Sequence, residues 1–169
     1  MHLIEAREQD VITLMTWFSD RDSAQRWGGP NLRFPFNEGD FRQDIRWGEI
    51  DTYSLIEDQQ MLAFGQVYTR NGRHHLGRLV VAPEARGRSL GRRLIEEILA
   101  QAQQYDHRAE ASLFVYRDNL PAWHCYTQLG FRAAPFPTDM PPLENGVFMI
   151  KPLEGEPPPV KSRRINLID

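Results

Sequence analysis

At 169 residues, 41% hydrophobic and 25% charged, the chain has the size and composition of one globular domain with room for a sheet covered on both faces. A net charge of −3 argues against a protein built as a whole for nucleic acid or an anionic membrane. The single cysteine, Cys125, excludes an internal disulfide and fits a reducing cytoplasm; no apolar run approaches membrane-spanning length, and Met1-His2-Leu3-Ile4-Glu5 lacks the features of a signal sequence.

The patterning predicts a short strand over Leu3 to Ala6, then a helix from Gln9 to Phe18 with Val11, Ile12, Leu14, Met15 and Phe18 at helical spacing. A second helix is expected over Ser23 to Trp27, stopped by Gly28-Gly29-Pro30, and a third over Phe41 to Trp47. Tyr53 to Glu57 and Leu62 to Thr69 read as strands joined by a tight turn at Asp58-Gln59-Gln60, and Asn71-Gly72 turns the chain into a strand over His74 to Val81. Ser89 to Gln104 is the long amphipathic helix, its face set by Leu90, Leu94, Ile95, Ile98, Leu99 and Ala102. A buried strand over Ala111 to Tyr116, a helix from Leu120 to Leu129 and closing strands at Arg132 to Phe136 and Val147 to Lys151 complete the order. Strands and helices in this sequence predict a mixed α/β sheet with one parallel pair. Residues 1–153 form the expected domain. Residues 154–169 form a Pro-rich tail, which either hangs loose or docks on its own body or on a partner subunit as a homodimer.

Chemistry concentrates where the strand ending at Val81 runs through Pro83 into Arg86-Gly87-Arg88-Ser89-Leu90-Gly91-Arg92. A helix that opens directly from a Gly-rich turn leaves its first amides unpaired, and its dipole adds partial positive charge there. Gly87 and Gly91 keep side chains out of the way, Arg86, Arg88, Arg92 and Arg93 add charge, and Ser89 is small enough to cap the helix with its hydroxyl. The whole reads as a cradle for a diphosphate. A Walker A loop needs Gly-Lys-Ser/Thr, and the first lysine is Lys151; a dinucleotide fingerprint needs a different glycine spacing near the start of a βαβ repeat.

The remaining pattern, Arg-x-x-Ser-x-Gly after a Val-x-Pro strand end, resembles the coenzyme A loop of the GNAT superfamily of N-acetyltransferases, with Ser89 where that family usually has Gly. A second string, Val115-x-x-x-Asn119-x-x-Ala122-x-x-x-Tyr126-x-x-x-Gly130-Phe131, is similar to the family's later signature, with Asn119 fit to cap its helix and Gly130 to follow it. The resemblance covers residues 52 to 133. It implies a GNAT-like fold, a mostly antiparallel sheet with one parallel pair and helices on both faces. It also implies acetyl-CoA as cosubstrate, bound by Leu79, Val80, Val81, Arg86 to Arg92, Asn119, Ala122 and Tyr126, and transfer of acetyl to a primary amine of a small molecule or peptide by direct attack in a ternary complex.

The same resemblance makes Tyr126 the group beside the coenzyme A sulfur that protonates the departing thiolate. It places His75 where many relatives carry a glutamate base; an imidazole near pKa 6.5 can take the amine proton. Glu110, His124 and the absence of a dedicated base are the other options. Trp27, Phe34, Phe36, Phe41 and Trp47, interleaved with Asp20, Asp22, Asp40, Asp44 and Glu49, suit a cationic amine or simply fill a small helical lid. A non-catalytic acyl-CoA sensor is the alternative to an enzyme. A nucleic-acid module is disfavoured by the net charge and by the lack of a stacking platform.

Overall fold

The computed structural model describes residues 1–155, so all of the proposed tail beyond Gly155 lies outside the described residues. Seven strands form one sheet in the order β1-β2-β3-β4-β5-β7-β6. They are β1 (His2–Glu5), β2 (Asp51–Glu57), β3 (Gln60–Arg70), β4 (Arg73–Val81), β5 (Glu110–Tyr116), β6 (Arg132–Ala134) and β7 (Gly146–Pro152). Every neighbouring pair is antiparallel except β4 with β5. The mixed sheet with one parallel pair stands as the sequence indicates.

Both hairpins turn on residues with positive φ: Asp58 (47°) and Gln59 (67°) between β2 and β3, Asn71 (49°) and Gly72 (73°) between β3 and β4. Two consecutive left-handed residues match the twist of the flanking strands. Helices α1 (Glu8–Met15), α2 (Arg21–Gly28) and α3 (Glu38–Asp44) cover one face of the sheet. Val11, Leu14, Ala24, Phe41 and Ile45 pack there on Ile56, Met61 and Phe64. Helix α3 lies earlier than its apolar spacing predicts because Asn37 caps it, its side chain accepting from the Asp40 amide at 2.8 Å. Asp20 does the same for α2 through the Ser23 amide at 2.8 Å.

On the opposite face α4 (Leu90–Tyr105) and α5 (Leu120–Gln128) complete the larger core. Leu90, Leu94, Ile95, Ile98 and Leu99 meet Leu55, Val67, Leu76 and Leu113 there. Gly65 of β3 is needed for this contact: a Cβ on it would lie 2.8 Å from Leu79 Cδ2 and 2.9 Å from Ile98 Cδ1.

Two irregularities open the sheet. The β3–β4 register slips between Phe64 and Gln66, and Arg78 takes φ 48°, a bulge that re-aims the end of β4. The parallel pairing of β4 with β5 covers only His74↔Ala111 and His75↔Ser112. Beyond those pairs the two strands part company.

Candidate active site

A cavity of about 670 Å³ fills the gap between the diverging strands. Its walls come from Leu76 to Val80 of β4, Phe114 to Tyr116 of β5, Tyr126 of α5, and Trp27 with Asp22 from α2. Of the residues singled out from sequence, His75, Leu79, Val80, Arg86, Asn119 and Tyr126 line it. Val81 and Ala122 pack against the core beside it.

From Arg86 the chain forms the loop into α4. Gly87 has φ 81° and Ser89 φ 58°. These left-handed residues turn successive amides to one side, and no described residue accepts a hydrogen bond from the backbone N–H groups of residues 87–92. A Cβ placed on Gly87 would project into open space. An anion fits this row of amides at the start of a sixteen-residue helix. The Ser89 hydroxyl does not cap the helix as its chemistry suggested: a capping serine sits in the extended region, whereas this residue is itself left-handed. That conformation also explains why glycine suits position 89. Among the arginines, Arg88 pairs with Glu57 at 3.1 Å, Arg92 with Glu96 at 3.1 Å and Arg93 with Glu97 at 2.6 Å. Arg86 forms no ion pair with a described residue and lines the cavity.

Asn119 accepts from the Ala122 amide at 3.4 Å and starts α5, which carries Tyr126 two turns later onto the cavity wall. The Tyr126 ring leans edge-on to Phe131 at 6.1 Å between centroids. Its hydroxyl has no hydrogen-bond partner among the described residues, and burial pushes it well above the ordinary tyrosine range, so it stays protonated.

His75 differs from a tuned base. It is 2% exposed, packed between the rings of Tyr68 and Phe114 at 5.2 and 4.8 Å, with Nδ1 2.9 Å from Ser112 Oγ. Burial, helped by the charge of Arg70, pulls it down to about 3. An imidazole with that affinity accepts a proton poorly at neutral pH. The two other candidates stand elsewhere: Glu110 is held by Arg73 at 3.1 Å, and His124 is exposed on α5.

The acidic residues of the N-terminal third do not gather around the cavity either. Arg33 holds Asp40 and Asp44 at 3.0 and 2.8 Å, Arg46 holds Glu49 at 3.1 Å, and Asp20 is a helix cap. Most of the aromatics form an internal cluster, Phe18 stacked on Trp27 at 4.7 Å and Phe36 edge-on to Phe41 at 4.7 Å; Trp27 reaches the cavity wall together with Trp17 and Phe18. Sequence reasoning passed over Arg78, Tyr68, Phe114 and Tyr116, all of which line the cavity. For Arg78 a signal existed: Gly77-Arg78 interrupts an apolar strand, the mark of a bulge.

Residues 14–131 match the model of the acetyltransferase (GNAT) family. The chain belongs to that family. The whole fold of this acetyltransferase is shared with solved structures of low sequence identity. The ribosomal-protein-S18-alanine N-acetyltransferase from Escherichia coli is 22% identical over 92% of this chain and 96% of that one, with a TM-score of 0.65. PaiA N-acetyltransferase from Thermoplasma acidophilum, in complex with coenzyme A, is 17% identical over 90% and 98%, also at 0.65. AAC(6')-Ib in complex with ribostamycin and coenzyme A is 18% identical over 89% and 92%, at 0.68. No described helix of the acetyltransferase is long and apolar enough to cross a membrane.

Proposed function

We propose that this N-acetyltransferase binds acetyl-CoA with its diphosphate on the amides of residues 87–92 and Arg86 alongside, and threads the pantetheine arm between β4 and β5. The observation that carries the reading is the row of unpartnered amides that directly follows Arg86, a wall residue of the gap where those strands separate. The arm is an amide chain. Backbone groups that β4 and β5 no longer exchange with each other beyond His75 and Ser112 are free to pair with it.

The acceptor nitrogen attacks the thioester carbonyl, the C–S bond breaks, and the proton that nitrogen loses is the one the sulfur finally gains. Binding both partners in one cavity supplies the orientation. In this reading the oxyanion is received by backbone N–H groups near the bulge at Arg78 and Leu79, where β4 departs from its regular pairing. Tyr126 donates its hydroxyl to the departing sulfur. Full transfer from a phenol this weakly acidic to a thiolate with an ordinary pKa of about 8.5 is uphill, so its work is a hydrogen bond that strengthens as charge builds on sulfur. Among the described residues no strong base lines the cavity, and the attacking species is the amine already neutral in solution.

Tyr126→Phe keeps the ring and removes only that donor. Acetyl-CoA affinity should hold while kcat falls by about 10²-fold, the scale of a lost proton donor. The loss should shrink with an acyl donor whose leaving group is a weaker base. Equal losses for both donors, or a variant as fast as the parent, would remove the role. The pH profile of kcat/KM should climb with the acceptor amine's own pKa and show no inflection near 6.5.

A further inference from the structure

The half of the cavity that faces the acceptor is charged in the opposite sense to the acidic, aromatic N-terminal sequence. With Asp40, Asp44, Glu49 and Asp20 held elsewhere, Asp22 is the acid on its wall. Arg26, also on the wall, is already neutralised by Asp118 at 2.6 Å.

Arg78 has no such partner among the described residues. Its guanidinium donates to two neutral oxygens, Gln66 Oε1 and the Asp44 carbonyl, each at 3.0 Å. Its Nε is buried with no partner. The carboxylate of Asp44, whose charge reaches Arg78, is bound by Arg33, and Arg46 adds a like charge. Arg70 repeats the pattern on the same side of the sheet. It lies over the ring of Phe114 at 5.4 Å and donates to Met140 Sδ at 2.7 Å, a weak acceptor, and its Nε is also buried and unpartnered. The indole N–H of Trp27, whose ring lines the cavity, is a third buried donor without an acceptor among the described residues. Arg78 on the wall, and Arg70 behind the wall residue Phe114, bring positive charge to one side of the cavity, and a buried guanidinium without an anion is costly unless a ligand supplies one.

We infer that the acceptor amine carries a carboxylate, received by the fork of Arg78, with Arg70 adding positive charge from behind Phe114. The inference rests on the acetyltransferase reading above. A planar guanidinium matches a carboxylate in two parallel hydrogen bonds, whereas a polyamine would bring only further positive charge. The same cations disfavour protonation of the neighbouring amine, which suits a site with no strong base.

The test is a thiol-release assay with acetyl-CoA on matched trios: an α-amino acid, its carboxamide, and the amine left when the carboxylate is removed. Spermidine and a few dipeptides complete the panel, the dipeptides separating a free amino acid from a chain-terminal carboxylate. Within the best trio the carboxylate member should exceed the carboxylate-free amine by about 10- to 100-fold in kcat/KM, expressed mainly in KM. Arg78→Gln should bring that ratio toward one. Should Arg78→Gln fail to fold, as judged by coenzyme A-dependent melting, Arg70→Gln should narrow the ratio by a smaller factor. A carboxylate-free amine or spermidine used as well as the best amino acid would overturn the inference, and so would a ratio that both variants leave unmoved.

If no amine turns over, calorimetry with N-acetyl amino acids on the coenzyme A-loaded protein decides. Binding weakened by the Arg78 or Arg70 substitution keeps the carboxylate site and sinks the turnover reading. Absence of binding sinks the site.

Discussion

The imidazole of His75, walled in by two aromatic rings and facing the charge of Arg70, makes stability depend on pH. Its folded pKa of about 3 lies below the unfolded value of about 6.5. Between those limits the unfolded chain binds the extra proton, so acid favours unfolding. The contribution is complete above pH 6.5 and is lost as pH falls toward 3, at up to about 1.4 kcal/mol per unit. His75→Gln keeps a polar partner for Ser112 Oγ and removes the titration. Denaturant unfolding of both proteins between pH 4 and 7 should show the parent losing stability faster on the acid side; parallel curves would contradict the buried neutral imidazole. Tyr126 shows burial acting the other way on a hydroxyl, which it keeps protonated.

The loop before α4 separates two kinds of glycine requirement. Gly87 at φ 81° and Ser89 at φ 58° share the left-handed region, where an ordinary side chain costs about 1–2 kcal/mol. Ser89→Gly should therefore raise stability by up to about 1 kcal/mol after the entropy cost of glycine, read as a higher denaturant midpoint. Gly87→Asn is the sharper test of the cradle, because asparagine tolerates positive φ but fills the open space in front of the amides. Its stability should stay near the parent's while coenzyme A binding weakens at least about 10-fold; unchanged affinity would place the diphosphate elsewhere. At this scale the sequence was readable wherever the determinant was local. The Asn119 cap, the spacing from Asn119 to Tyr126, and the two hairpin turns all follow from neighbours in the chain. Helix α3 starts at Glu38, ahead of the Phe41 that apolar spacing points to, because the Asn37 cap sets its first turn. The bulge at Arg78 and the ion pairs that take Asp40, Asp44 and Glu49 out of the site depend on register and packing across the sheet, which residue order alone does not specify.

At the scale of the molecule, the sheet is two antiparallel halves, β1 to β4 and β5 with β7 and β6, joined by a parallel seam of two residue pairs. Helix α4 rests mainly on the first half, and the Arg26–Asp118 ion pair at 2.6 Å ties α2 to the loop after β5. That pair is exposed and contributes little by itself. The seam of two residue pairs is therefore the thinnest junction of the sheet, and under the proposed placement the cosubstrate would complete it. A pantetheine arm lying between β4 and β5 would pair with both halves at once. Binding to the folded state alone stabilises by about 2.7 kcal/mol at a hundred times Kd, which for a domain of this size raises Tm by about 5–10 °C. Where the protection appears matters more than its size. Hydrogen exchange should slow at the amides of residues 87–92 and in β4 and β5 beyond His75 and Ser112, while β2, far from the seam, should change only as global stability does. A truncated nucleotide lacking the pantetheine arm should protect the loop and leave the strands as they were. Equal protection of the strands by that fragment would mean that the seam closes through the loop and that the arm lies elsewhere.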